Sequence, residues 1–251
     1  MSQVIAVLNQ KGGVGKTTST INLAAAIAKS GKSVLVVDLD PQANATSGFG
    51  VDKTKLNSSI YEVLVAGNST ADSVIDTRVS GLRVLPATTS LAAAEQELVS
   101  VQQRESVLKN ALENLSYDYI FIDCPPSLGL LSINALVAAD SVLIPVQTEF
   151  YALEGLGLLI QTVQKVQQAL NPSLRIIGVV MTMVDTRNAL SGQVISEVKK
   201  HFGQLVFETF IPRNVRLAEA PSYGKTIFEH NKWSKGARAY KALATEVLQR
   251  G

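Results

Sequence analysis

Lys11-Gly12-Gly13-Val14-Gly15-Lys16-Thr17-Thr18 follows an apolar run, Val4 to Leu8, and leads into Thr17 to Lys29, where Ile21, Leu23, Ala24 and Ala28 recur at helical spacing. Strand, glycine turn and helix in that order make a phosphate-binding loop. Glycines let backbone N–H groups close around phosphate oxygens, Lys16 has the reach to the β- and γ-phosphates, and the Thr17 hydroxyl is a ligand suited to Mg2+. A chance glycine turn has no need of Lys and Thr at these offsets.

Outward from this loop the strand and helix alternation recurs. Ser33–Val37, Leu82–Pro86, Tyr119–Ile122, Ser141–Val146 and Arg175–Met181 are runs of Val, Ile and Leu that suit parallel strands buried on both faces. Helical patterns lie between them at Ile60–Ala66, Leu91–Leu98, Arg104–Leu115, Leu130–Ala138, Gly155–Leu170 and Gln193–Phe202. A short strand at Leu205–Phe210 and a helix at Ala237–Gln249 complete the pattern, and Asn44–Ser59 is the longest irregular segment. The expectation is an α/β fold: a doubly wound, mostly parallel sheet with helices on both faces. With no repeat, linker or change of composition regime, residues 1–251 read as one P-loop ATPase domain.

Hydrophobic residues make up 46% of the 251 and charged residues 18%, enough for a covered sheet and too apolar for disorder. No apolar run reaches the length of a membrane span and no signal-peptide pattern opens the chain, so a cytoplasmic location is expected. Cys124 is the only cysteine, which leaves no intramolecular disulfide and no thiolate metal site. The net charge of +2 conceals an asymmetry: residues 1–184 hold 12 Lys/Arg against 15 Asp/Glu, and residues 185–251 hold 11 against 6. A basic surface is expected in the C-terminal quarter.

The loop departs from the general P-loop pattern, because Gln10 stands where that pattern has its first glycine and a second lysine, Lys11, opens the loop. In this it resembles the deviant Walker A signature of ParA, MinD and nitrogenase-iron-protein relatives. Val37-Asp38-Leu39-Asp40-Pro41-Gln42 resembles the family's second acidic motif, and Phe121-Ile122-Asp123-Cys124-Pro125-Pro126 resembles its Walker B. The resemblance implies ATP and Mg2+ as cofactors, with Lys11, Gly12, Gly13, Val14, Gly15, Lys16, Thr17 and Thr18 around the nucleotide. It implies that Lys11 reaches the partner's nucleotide across an ATP-dependent homodimer. By the same likeness Thr17, Asp38 and Asp123 serve the metal, the carboxylates through water, and Asp40 positions the attacking water, so Lys11, Lys16 and Asp40 carry the catalysis. Ile211-Pro212-Arg213-Asn214-Val215-Arg216 resembles the ParA segment beside the adenine, with Pro212, Asn214 and Met183 about the base.

Among the family's branches, the iron-protein type needs more thiolates than Cys124 supplies. A MinD-like membrane positioner needs a basic amphipathic final helix, and Glu246 and Gln249 dilute that face, so no membrane partner is expected. The chain is most similar to ParA/Soj-type chromosome or plasmid partition ATPases. That likeness implies ATP hydrolysis to ADP and phosphate, slow without a ParB-type centromere-binding protein, and a nucleoid-associated location. It also implies nonspecific binding of double-stranded DNA through Arg187 and Arg216, with Lys199, Lys200, Lys232 and Lys235 as weaker additions. A MinD-like or cargo-positioning ATPase acting on a membrane or protein array is the alternative.

Overall fold

The computed structural model describes residues 2–149 and 152–251. Each strand of the core is apolar at nearly every position, so its side chains are buried on both faces and both faces need helices. The strands are β1 (Gln3–Val7), β2 (Val34–Asp38), β3 (Ile75–Asp76), β4 (Leu82–Leu85), β5 (Tyr119–Asp123), β6 (Ser141–Gln147) and β7 (Arg175–Thr182). Among the described residues they form one seven-stranded sheet in the order β3-β4-β2-β5-β1-β6-β7. All neighbours are parallel except β3, a two-residue edge strand antiparallel to β4. β1 lies between β5 and β6, so the crevice at the strand C-termini opens beside the glycine loop that leaves β1.

Helices α1 (Lys16–Ala28) and α2 (Asn44–Gly48) follow β1 and β2. α3 (Ile60–Val65) and α4 (Thr70–Ser73) precede β3, and α5 (Leu91–Glu97) and α6 (Val107–Leu112) lead to β5. Next come α7 (Leu130–Ala138), α8 (Ala152–Ala169), α9 (Ala189–Phe202), α10 (Val215–Glu219), α11 (Ile227–His230) and α12 (Lys235–Arg250). Two apolar clusters flank the sheet. One packs residues of α3 and α5 to α9 against it, and the other packs α1 and α12. α12 lays Tyr240, Leu243, Ala244 and Val247 inward, and the Tyr240 hydroxyl meets Ser19 Oγ of α1 at 3.1 Å. Among the described residues no helix is long and apolar enough to cross a membrane.

The strand and helix pattern expected from sequence is present, with three corrections. Leu205–Phe210 is not a strand: a 3-10 turn covers Gly203–Leu205, and the N–H groups of Glu208 and Thr209 donate to the Glu246 carboxylate of α12, both at 2.9 Å. Arg104–Leu115 is not one helix. The Asn134 side chain donates to the Arg104 carbonyl at 2.8 Å and accepts from Leu108 N–H at 3.1 Å, the two groups that an unbroken helix would pair with each other. Asn44–Ser59 is not wholly irregular, because Thr46 is pinned to Asp38 and α2 forms around it.

Candidate functional site

Gly13 and Gly15 have φ of 75° and 90°, a region that costs an L side chain dearly, so the loop can turn over on itself only with glycine there. Gly15 is the N-cap of α1 and supplies no capping side chain, which leaves the first N–H groups of α1 facing the crevice. Thr182 Oγ1 at the end of β7 donates to the Val14 carbonyl at 2.7 Å and fastens the loop to the sheet. Lys16 is buried, and its Nζ folds back to the Lys11 carbonyl at 3.2 Å. Burial holds its pKa below the usual lysine range, against the pull of Asp123, Cys124 and Asp40.

Asp38 and Asp123 end neighbouring strands β2 and β5 in register with each other, and neither is exposed. Asp123 accepts from the hydroxyls of Thr17 at 2.7 Å and Thr20 at 2.9 Å. Asp38 accepts from the N–H and hydroxyl of Thr46, both at 2.7 Å. Burial raises both carboxyls above the usual range; for Asp123 the neighbouring Asp38 charge adds to it, and the threonine hydroxyls oppose it. Asp40 accepts from Gln42 N–H at 2.9 Å, which closes the turn into α2. Two buried carboxyls and a threonine hydroxyl are hard oxygen donors that fit a small hard cation such as Mg2+, whose charge would favour the ionised carboxylates. Among the described residues no three His, Cys, Asp or Glu gather to hold a metal by themselves, so such a cation needs the Thr17 hydroxyl, water and phosphate oxygens as well. Cys124 is buried, and burial pushes its thiol up, away from reactivity.

The structure gathers Lys16, Thr17, Asp38, Asp40 and Asp123, and it sends Lys11 elsewhere. Lys11 is half exposed and its ammonium pairs with the Glu149 carboxylate beyond β6, which Gln147 Nε2 also meets at 2.7 Å. Glu149 was not among the residues singled out from sequence. Beside the loop, Gly15, Thr18, Met183, Pro212 and Asn214 line a cavity of about 400 Å³. Sequence reasoning missed Thr182 and Tyr240 in its walls, because β7 and α12 meet the Pro212 segment in space and not along the chain. Met183 sits at φ 51°, a strained conformation held by Val184 N–H donating to Ile211 at 3.0 Å and Arg213 N–H donating to Val184 at 3.1 Å.

The same pairing brings the segment leading to Arg187 beside the one leading into α10, whose first turn carries Arg216. Both arginines are exposed and each carries an ion pair, Arg187 with Asp185 and Arg216 with Glu219. Lys199 and Lys200 ride on α9, where Lys199 pairs with Glu208. Lys232 precedes α12 and Lys235 opens it.

An AAA domain family pattern matches residues 2–176. The sporulation initiation inhibitor protein Soj of Bacillus subtilis is 55% identical over 253 residues that take in 100% of both chains. The chain belongs to the Soj/ParA family of chromosome-partitioning ATPases. Within it, the chromosome partitioning protein ParA of Myxococcus xanthus is 49% identical over 100% of this chain and 89% of its own. A Mycobacterium smegmatis structure described as cobyrinic acid a,c-diamide synthase, with ATP analogue and magnesium bound, superimposes with a TM-score of 0.87 at 38% identity, covering 99% of this chain and 95% of that one.

Proposed function

We propose that this protein is a partition ATPase that dimerises on ATP and binds DNA without regard to sequence. A ParB-type partner then triggers hydrolysis and release during DNA segregation. The observation that supports this reading is the different placement of the two loop lysines: Lys16 is buried inside the loop, whereas Lys11 is turned out of it toward Glu149. An outward lysine serves a nucleotide that lies across an interface. In this reading Lys16 and the loop N–H groups hold the phosphates, and Met183, Pro212 and Asn214 enclose the base. Thr17, Asp38 and Asp123 hold Mg2+, whose charge offsets the negative charge of the transferring phosphoryl group. Asp40 orients the attacking water. Among the described residues no strong general base stands free in the site, so in this reading hydrolysis is slow until the partner completes it, and residues 1–251 act as one ATPase domain at the nucleoid.

Arg187, in the loop after β7, and Arg216, in the first turn of α10, are the leading DNA contacts; Lys199, Lys200, Lys232 and Lys235 extend the basic surface. Such contacts meet phosphates and carry no sequence information. The test is binding to two unrelated duplexes across a salt series, with and without ATP, for the parent and for Arg187→Glu and Arg216→Glu. The parent should bind both duplexes alike and only with ATP. Each variant should bind weakly yet dimerise normally, with the slope of log affinity against log salt flattened by about 0.9 for each phosphate left unmet. A parent that ignores DNA but binds anionic liposomes with ATP would replace this reading with that of a membrane positioner.

A further inference from the structure

Helix α1 holds the glycine loop at its N-terminus, and its opposite end forms one wall of a second concave site. Lys29 faces a stripe of α12, Arg238, Lys241, Thr245 and Leu248, and the segment Lys232-Trp233 closes the end. Together they bound a cleft of about 450 Å³. Its rim carries four cations, Lys29, Lys232, Arg238 and Lys241, and none of its lining residues is acidic. Its floor is apolar, built from Phe228, Ala244 and Leu248. Trp233 is 79% exposed, and Lys232 Nζ lies 5.2 Å from its ring centroid. An indole left in water beside an apolar hollow and a ring of cations is an arrangement the fold itself does not use, since α12 is already anchored to α1 on another face through Tyr240, Leu243 and Val247.

We propose that this cleft binds an acidic segment of a partner protein. Carboxylates of the segment pair with Lys29, Arg238 and Lys241, and one aromatic or aliphatic side chain seats on the floor against Trp233. Charge complementarity selects the anion, because four cations face the site without a carboxylate to answer them. The hollow selects a peptide over a duplex. A duplex offers phosphates on a rigid, polar, convex ridge that would meet the rim and leave the apolar floor empty, whereas a peptide lowers a side chain into it. Trp, Arg and a concave apolar floor are also the composition of interface anchors. The proposal is independent of the nucleotide reading, and its test rests on Lys29, Lys241 and Trp233, none of which is among the proposed DNA contacts.

Trp233 is the only tryptophan in the chain, so its emission reports on this cleft without labelling. The probe is a fluorescein-labelled 14-residue peptide of Glu and Asp around a single Leu-Phe pair, with two comparisons: the same peptide with Ser-Ser in place of Leu-Phe, and a short DNA duplex. The expected result is a saturable blue shift of Trp233 emission with the Leu-Phe peptide, with or without ATP. By anisotropy, the Ser-Ser peptide should bind at least tenfold more weakly. The double variant Lys29→Glu, Lys241→Glu should lose at least tenfold in affinity for the Leu-Phe peptide, and Trp233→Ala at least threefold, with unchanged urea midpoints because all three side chains are exposed. Arg187→Glu should bind the peptide as the parent does. No saturable shift, or equal binding of the two peptides, would overturn the proposal. So would a duplex that shifts Trp233 and loses affinity in the same double variant, which would make the cleft a nucleic-acid groove.

Discussion

Replacing Lys16 with alanine separates what this side chain does for the fold from what it does for a nucleotide. Lys16 is only 6% exposed, and the hydrogen bond of its ammonium is to the Lys11 carbonyl, at a rather long 3.2 Å. Removing that bond costs the fold about 1 kcal/mol, and removing the desolvation of a buried charge returns a similar amount. Stability should therefore stay within about 1 kcal/mol of the parent. A nucleotide loses more, because truncating one partner of a desolvated charge pair costs about 2 to 5 kcal/mol. At about 1.4 kcal/mol per decade this is roughly 30-fold to a few thousand-fold in affinity. Titration with a fluorescent ATP analogue in Mg2+ and a urea unfolding curve together decide the matter. Affinity within about threefold of the parent would show that the loop is not a phosphate cradle. A stability loss of several kcal/mol accompanying the affinity loss would show that Lys16 holds the loop together instead.

Asp40→Ala should still bind ATP but hydrolyse it poorly, so that a dimer persists in size-exclusion chromatography with ATP; a monomer, or parental turnover, refutes the role given to Asp40. Lys11→Ala should keep nucleotide binding through Lys16 yet lose ATP-dependent dimerisation and tight DNA binding in sedimentation with a slowly hydrolysed analogue, and a normal dimer would remove the argument that Lys11 acts across an interface. Hydrogen bonds from Arg187 hold the Asp185 carboxyl at about 2. Because that pKa is depressed in the fold, its stabilisation is complete above the unfolded value near 3.8 and is lost as pH falls through about 2. In Arg187→Ala the carboxyl resonance of Asp185 should titrate higher than in the parent but still below 3.8, because the backbone N–H of residue 187 and the Arg213 charge remain, and titration unchanged near 2 would mean that the Arg187 side chain is not what depresses it.

Most of the sheet was legible in the sequence because parallel strands buried on both faces leave unbroken Val, Ile and Leu runs, and the expected bounds fall within a residue of those observed. The glycine loop was legible for the same local reason: motif, preceding strand and following helix are contiguous. What escaped was decided by side chains distant in sequence. Asn134 breaks the helix at Arg104 to Leu108 from 26 residues away, and Glu246 takes the N–H groups of Glu208 and Thr209 that a strand would have used. Glu149 escaped because no motif marks it, and its pairing with Lys11 spans 138 residues. The edge strand β3 is too short to leave a periodic trace. The strand-end carboxylates could be proposed from their position together with the glycine loop and the family resemblance, but the threonines that hold them, Thr20 and Thr46, are ordinary helix residues until the fold brings them there.

Helix α1 sets the distance between two chemically distinct places. Its 13 residues from Lys16 to Ala28 span about 20 Å, with the phosphate loop at one end and the cleft of Trp233 at the other. The protein's lone indole is thus roughly one rigid helix away from any fluorescent nucleotide held by the loop. Light absorbed by Trp233 can pass to such a nucleotide by resonance energy transfer, without a dye on the protein. Nucleotide arrival, exchange and loss after hydrolysis become separately timed optical events in the unmodified chain, and a change in transfer efficiency at full occupancy would register any tilt of the Trp233 segment relative to the helix that carries the loop.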